Sequence, residues 1–226
     1  MDYLTTRFND LYITAPSLYL SFTDPVFESL LLQNNIGDGI GITQSDASAV
    51  TELGDILYGS NITSLNDLEY FPNLTDFGGN STGTTIGYTR LANCSNLSSA
   101  KFTYVKKVRK NFCLNCSNLT YMYFPRIEEV GGVAFVPGVT TIKFGPNLTY
   151  IGNYAFWNAS NLTTLIFEGT TPPTYQLVSG TGDTFKYNNN GLTVYVPDTA
   201  VNDYKNATGW APNASIVHPI SEYQGS

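Results

Sequence analysis

The 226-residue chain has few charged side chains, a single histidine, three cysteines and no surplus of basic residues. Charged residues make up 13% of the composition and the formal net charge at pH 7 is −7, whereas nucleic-acid binding needs clustered Lys and Arg for phosphate contacts. We therefore expect no nucleic-acid partner. No apolar run approaches the roughly 20 residues that span a bilayer, so we also expect no membrane insertion.

The scarcity of histidine and cysteine leaves little material for a catalytic or metal site. His218 lies beside Pro219, far in sequence from any Cys or Ser in a nucleophile-like setting. Cys113 and Cys116 form a Cys-x-x-Cys pair, but a zinc site needs four ligands and there is no second pair. The sequence predicts no enzyme, no catalytic residues, no cofactor and buried, unpaired thiols.

Apolar residues are plentiful, and they recur with a period of 20 to 23 residues. Four phenylalanines follow one another at intervals of 22, 20 and 23 residues: Phe102, Phe124, Phe144 and Phe167. Two more columns repeat at matching offsets: Leu97, Leu119, Val139 and Leu162, and Val108, Val130 and Ile151. A repeat of this length is typical of a solenoid, in which each unit buries its apolar side only by stacking on its neighbours.

Short strands and one small-residue column complete the repeat unit. Segments 119–124 and 162–167 are rich in β-branched and aromatic residues, which favours strands stacked in parallel. Cys94 and Cys116 occupy one column, and Ala159 takes the same place in the last unit. The column therefore requires a small buried side chain, which explains the two cysteines without redox or metal chemistry.

Several segments resemble one known repeat family. Asn-Cys-Ser-Asn-Leu occurs at 93–97 and again at 115–119, and Ile-Gly-Asn-Tyr-Ala-Phe occurs at 151–156. With the closing segment 194–223, these resemble BspA-type leucine-rich repeats over residues 60–223. Members of that family are typically surface proteins of gut bacteria or proteins of their phages. The resemblance therefore implies interaction or adhesion rather than chemistry.

The predicted fold is mainly β: a short leucine-rich-repeat solenoid with parallel stacked strands, a small helical N-terminal cap, and a C-terminal cap with one short helix. We place an N-terminal capping and assembly segment at 1–59, the repeats at 60–175 and the C-terminal cap at 176–226. In the first segment, one helix should begin at Asp24 and a second near Ser45.

The C-terminal cap should cover the open end of the last repeat. Asp198 is predicted to be the N-cap of a helix over 199–207, because Asp is a favoured residue at that position. Tyr204 and Trp210 are then placed to shield the apolar end of the solenoid from water.

The loop at 34–46 resembles an EF-hand or dockerin-like loop, but poorly. Its candidate calcium ligands are Asn34, Asp38 and Asp46. If Gly39 is the turn glycine, Ile36 falls on a ligand position, where calcium requires oxygen. We therefore assign no metal, and the competing interpretation is a helical cap that keeps the shape of the loop without the ion.

The clearest surface feature is a basic cluster, because five of the eleven Lys and Arg residues lie at 101–110. We predict a binding surface from this cluster, its tyrosine and two residues of the Gly- and Thr-rich insertion 78–90: Tyr88, Arg90, Lys101, Tyr104, Lys106, Lys107, Arg109 and Lys110. A solvated repeat flank is the alternative. The segment 176–191 and the tyrosines Tyr70, Tyr121 and Tyr123 are further candidate contacts.

The expected function is non-enzymatic interaction or adhesion. The chain starts at Met1 without the features of a secretory signal, which favours a phage virion protein assembled in the host cytoplasm, as a head or tail decoration or a host-attachment protein. The alternative is a secreted or surface-anchored bacterial adhesin that binds a host protein or glycan. Expected partners are other virion subunits or a host surface receptor or glycan, and assembly into a homo-oligomer is a further option.

Overall fold

The computed structural model of the protein describes residues 18–77, 91–108, 112–113, 115–132, 138–156, 159–175, 185 and 191–225. These residues form a solenoid of five stacked coils, each with a strand on two of its faces, closed at both ends by short helices. The predicted insertion at 78–90 and nearly all of the segment 176–191 lie outside the described residues.

The two predicted N-terminal helices are confirmed. Helix α1 spans Pro25–Gln33, and the Asp24 carboxylate caps its first turn by accepting the N–H groups of Val26 and Phe27. Helix α2 spans Gln44–Ala49 and begins with a capping box, in which Thr43 and Asp46 each bond the other's backbone N–H.

Twelve short strands follow in chain order within the part of the chain that the structure describes. Their bounds are β1 Ser64–Leu65, β2 Asp76–Phe77, β3 Ser99–Ala100, β4 Lys107–Val108, β5 Tyr121–Phe124, β6 Glu129–Val130, β7 Thr141–Phe144, β8 Tyr150–Ile151, β9 Thr164–Phe167, β10 Thr174–Tyr175, β11 Thr193–Val196 and β12 Val217–Pro219. Every pair formed between these strands is parallel, as the repeat predicts.

The strands assemble into two five-stranded sheets on different faces of the solenoid. The long-strand sheet has the order β5-β7-β9-β11-β12, and the short-strand sheet has the order β2-β4-β6-β8-β10. Strands β1 and β3 form a separate two-stranded sheet, so the ladder is interrupted between β3 and β5. In the long-strand sheet Phe124, Phe144 and Phe167 lie in register, which confirms the phenylalanine column.

One continuous hydrophobic core runs from Phe27 to Val217. The phenylalanine column forms its axis: the Phe102 and Phe124 rings stack with centroids 4.6 Å apart, and Phe124 and Phe144 follow at 6.2 Å. These spacings are close to the distance between neighbouring strands, because each ring belongs to one coil. Burial of the column therefore depends on stacking of the coils and not on any single unit.

The three cysteines are free and buried, and Cys94, Cys116 and Ala159 fill the predicted column of small residues. Hydrogen bonding to Cys116, together with burial, raises the pKa of the Cys94 thiol well above its ordinary value. Hydrogen bonding to Cys113, again together with burial, raises the pKa of Cys116. Since the thiolate is the reactive form, these thiols are poorly suited to redox or nucleophilic chemistry.

The C-terminal cap covers the last coil as expected, but through a different local structure. The side chains of Tyr204 and Trp210 are buried, and they bond the backbone carbonyls of Gly169 and Pro173 through the phenol and the indole N–H. Their rings pack on Phe167 of the last coil. Such a cap removes the exposed end that an open solenoid would have.

The predicted N-cap role of Asp198 is wrong. A 3-10 turn at Asp198–Ala200 precedes the α-helix α3, Val201–Asn206, and neither element has a side-chain cap. The Asp198 carboxylate instead accepts the backbone N–H of Ser221, which ties the final 3-10 turn to the cap. Tertiary contact with a later segment has therefore replaced the local capping bond.

Candidate functional site

The structure describes four of the eight residues predicted to form a basic binding surface: Lys101, Tyr104, Lys106 and Lys107. The other four lie outside the described residues: Tyr88, Arg90, Arg109 and Lys110. The binding role of the whole set stays a prediction.

Each of the three described lysines makes an ion pair with a glutamate. The distance from the ammonium nitrogen to the carboxylate oxygen is 3.0 Å in Lys101–Glu69, 2.8 Å in Lys106–Glu128 and 3.1 Å in Lys107–Glu129. Lys107 and Glu129 are register partners in neighbouring strands of the short-strand sheet, so stacking brings the opposite charges together. The positive charge of this part of the cluster is thus balanced locally, which weakens its attraction for an acidic partner.

Tyr104, the aromatic member of the cluster, is half-buried and lies against an arginine of the next coil. The Arg126 guanidinium carbon is 4.9 Å from the centre of the Tyr104 ring, within range of a cation–π contact. Part of this ring is therefore engaged within the protein.

The candidate calcium ligands of loop 34–46 make hydrogen bonds with other groups of the protein. Asp38 accepts the backbone N–H groups of Ile40 and Gly41 and the Tyr19 hydroxyl, and Asp46 accepts from Thr43 in the capping box. The third candidate, Asn34, bonds the end of helix α1: its side-chain amide donates to Leu30 O. In the described part of the chain, no three His, Cys, Asp or Glu side chains are grouped to hold a metal ion.

The outward side of the long-strand sheet carries a cluster of aromatic and charged side chains. We define the tyrosine face by Tyr121, Tyr123, Lys143, Ile166, Glu168, Tyr195, His218 and Tyr223. Alternation along the strands sends Met122, Phe124 and their register partners into the core, and the intervening residues outward. Tyr121 is 49% exposed, an unusual fraction for so large an aromatic side chain.

Polar contacts hold Tyr123, Lys143 and Glu168 of the tyrosine face in one arrangement. Glu168 accepts the Tyr123 hydroxyl at 3.0 Å and pairs with the Lys143 ammonium at 2.7 Å. The same ammonium lies 4.8 Å from the centre of the Tyr123 ring. Hydrogen bonding to Glu168 raises the pKa of Lys143, while burial and the bond to Glu168 raise the pKa of Tyr123. Three side chains from three coils therefore hold one another in place.

The other half of the tyrosine face is formed by aromatic side chains next to the apolar Ile166. Ile166 lies in register between Lys143 and Tyr195, and it is only 3% exposed although it points away from the core. The Tyr195 ring packs on Tyr223 at 5.0 Å and on His218 at 6.4 Å between ring centres.

The sequence indicated Tyr121 and Tyr123 as candidate contacts, but not Lys143, Tyr195, His218 or Tyr223. Lys143, Tyr195 and His218 share a period-2 alternation along strands of successive units, which becomes a surface only once the register between units is known. Tyr223 follows the last 3-10 turn, so no strand pattern indicates it. Tyr70, another candidate, is committed elsewhere: its ring packs against Phe22, and its hydroxyl donates to Ser21 O.

Among the described residues, no helix combines the length and apolar character needed to cross a bilayer.

Comparison with known proteins agrees with this geometry. Residues 66–176 match the model of the BspA type Leucine rich repeat region in six copies. A search of curated proteins finds no match to the chain. Leucine-rich-repeat domains are typically non-enzymatic modules for protein interaction and adhesion, and the stacked parallel strands found here are the architecture of such repeats. Residues 66–176 of the chain therefore form a BspA-type leucine-rich repeat region.

Proposed function

We propose that this protein acts without catalysis and binds a folded protein partner through the tyrosine face of its long-strand sheet. The observation that carries the proposal is the exposed aromatic surface around Tyr121, with the ordered Tyr123–Lys143–Glu168 cluster beside it. Protein interfaces are enriched in tyrosine because its ring contributes a large contact area at a small cost in conformational entropy.

The arrangement of the face also favours a protein partner. The face combines the half-exposed ring of Tyr121 with the Lys143–Glu168 ion pair and hydroxyl groups, and such a mixture of aromatic and polar contacts is typical of protein interfaces. The face is rigid because each strand is held by a parallel ladder to its neighbours. A preordered surface binds with a smaller entropy cost than a mobile one.

The proposed face can be tested by site-specific crosslinking in the native setting. We expect a photoreactive phenylalanine analogue at position 195 to crosslink the chain to one discrete partner. The same analogue at position 150, on the outward side of the short-strand sheet, is the matched control and should give no discrete product. Products from position 150 alone would overturn the assignment of the face, and a crosslink between two copies would identify the partner as a homo-oligomer.

The energetic importance of the face can then be measured with the identified partner. We expect Tyr195→Ala to weaken binding about tenfold, because truncation of a central aromatic anchor costs more than 1 kcal/mol. Tyr150→Ala should leave the dissociation constant within about twofold of the parent value, as is usual outside the interface core.

For the place of action, we propose a phage virion, in which the chain is a head or tail decoration or a host-attachment protein. The alternative is a bacterial cell-surface or secreted adhesin, and both settings are implied by the resemblance of the repeats to proteins of gut bacteria and their phages. Mass spectrometry of purified particles, compared with outer-membrane and secreted fractions of the host, distinguishes them. Recovery only in the bacterial fractions would contradict the virion proposal.

A further inference from the structure

The interrupted ladder between β3 and β5 leaves a cleft beside the tyrosine face. In the following coils, Gly145 and Glu168 donate their backbone N–H groups to Phe124 O and Phe144 O, which joins each strand end to the preceding coil. The equivalent residue at the end of β5 is Pro125, which has no N–H to donate. Proline therefore removes one of the bonds that would close β5 on to β3.

The cleft has a volume of about 440 Å³, and Phe102, a buried residue of the core, lies among its lining residues. Phe102 and Phe124, which follow β3 and end β5, stack with ring centres 4.6 Å apart, so the two coils are in side-chain contact; adjacent strands of a sheet lie about 4.8 Å apart. An added peptide strand would require about twice that spacing, roughly 9–10 Å. The cleft consequently admits a compact ligand from the solvent side, and it does not admit a polypeptide strand between β3 and β5.

The walls of the cleft combine aromatic faces with neutral hydrogen-bonding groups. Tyr121, Tyr123 and Pro125 supply apolar surface on the β5 side. Thr103 and Ser99 supply hydroxyl groups on the β3 side. The Ser99 hydroxyl donates to Ser64 Oγ and accepts from the Asn66 side-chain amide, so one acceptor position is left for a ligand. Concave sites of this size, with apolar walls and a few convergent polar groups, are typical of small-ligand sites.

Charge in the cleft is balanced. Lys101 is its one charged lining residue among those described, and its ammonium pairs with Glu69 at 3.0 Å. An anionic ligand would have to compete with Glu69 for this ammonium, whereas an uncharged polyhydroxyl ligand can bond the pair without separating it.

We propose that this cleft is a binding site for an uncharged oligosaccharide. The apolar C–H face of a pyranose ring would pack on Tyr121, since apolar contact and dispersion act between the two flat surfaces. The sugar hydroxyls would bond Ser99, Thr103 and the Lys101–Glu69 pair. This inference goes beyond the proposed function, because it assigns a second ligand, of another chemical class, to the cleft. Tyr121 borders both surfaces, whereas Tyr195 belongs to the tyrosine face alone.

The test uses the complete chain on a printed array that carries neutral, sialylated and sulfated glycans. The best neutral glycan is then titrated in solution by saturation-transfer NMR, with circular dichroism to confirm that each variant is folded. We expect Tyr121→Ala to weaken binding about tenfold, as for a central aromatic anchor, and Tyr121→Phe to retain it because the ring remains. Tyr150→Ala on the short-strand sheet is the control and should bind like the parent chain.

The outcomes separate this proposal from the protein-binding one. Absence of binding to every neutral glycan, a preference for the sialylated or sulfated ones, or unchanged binding by Tyr121→Ala would each overturn the oligosaccharide site. Tyr195→Ala should impair the protein partner and leave glycan binding unchanged. If Tyr195→Ala abolished glycan binding in a folded chain, the ligand would lie elsewhere on the tyrosine face and the cleft assignment would fail.

Discussion

Replacement of Asp24 by alanine should lower the free energy of unfolding by about 3–4 kcal/mol, one of the largest losses expected from a single substitution in this protein. The carboxylate is 1% exposed and accepts five hydrogen bonds. One oxygen caps helix α1, and the other accepts the Thr63 N–H and hydroxyl and the Ser64 N–H, which joins the helix to the first coil. Alanine would leave these donors without their acceptor at a site that is partly or, for Phe27, fully buried.

Urea titration followed by circular dichroism measures this effect, and Asp198→Ala is the matched control. Asp198 is exposed and accepts the backbone N–H of Ser221, so its removal should lower the stability much less than removal of Asp24. Equal losses for the two variants would show that the buried position of Asp24 does not determine its contribution.

The contribution of Asp24 should also appear in the dependence of stability on pH. Burial opposes ionisation of Asp24, but hydrogen bonds from Thr63, Phe27 and Ser64 outweigh it and hold the pKa of this carboxyl below its ordinary value. The unfolded chain therefore takes up the proton first, and the stabilisation present above the ordinary carboxyl pKa is lost as the pH falls through the folded-state pKa. Between about pH 5 and 2, the stability of Asp24→Asn should decline less steeply than that of the parent chain.

Replacement of Gly145 by alanine should cost about 3 kcal/mol or more and should weaken the contact between two coils. Gly145 is buried after β7, and an added Cβ would collide with the backbone carbonyl oxygen of Pro125 in the preceding coil. The coil would have to move away, which strains the bond from the Gly145 N–H to Phe124 O. A solenoid depends on contacts between neighbouring units. The movement would therefore weaken the contact between the part of the core before Gly145 and the part after it.

Both tryptophans, Trp157 and Trp210, follow residue 145, so fluorescence reports the C-terminal part of the solenoid while circular dichroism reports the whole. For Gly145→Ala we expect the two denaturation midpoints to separate.

Gly54→Ala is the control: its φ of 56° makes alanine unfavourable, but the added Cβ would meet no atom within 4 Å. It should cost about 1 kcal/mol with coincident midpoints. Coincident midpoints and a similar small loss for Gly145→Ala would contradict the packing argument.

The repeat could be predicted in detail because its signal is one-dimensional. Phe102, Phe124, Phe144 and Phe167 recur along the chain at the period of the coils, and stacking of identical positions is the only way in which such units can bury them. The column of small residues at Cys94 and Cys116 follows from the same rule.

The surface could be predicted only in part, because it depends on contacts between residues far apart in sequence. The lysines at 101, 106 and 107 form a basic run in the sequence, yet in space each is paired with a glutamate from another coil or turn. Asp198 has the local pattern of a helix N-cap, but its carboxylate is used 23 residues later, at Ser221. Local propensity was outweighed in both cases by groups that stacking or the cap brings close.

The sequence by itself determined the solenoid, its parallel strands, its capped ends and its family resemblance, because periodic burial needs no knowledge of distant contacts. Only the tertiary structure decided which side chains share a face. The register of β5, β7, β9 and β11 places Tyr123, Lys143, Ile166 and Tyr195 side by side, and Pro125 separates β5 from β3 beside them. A one-residue slip would turn each of these side chains to the opposite side of the sheet, so the binding surface exists only through the register of the stacked coils.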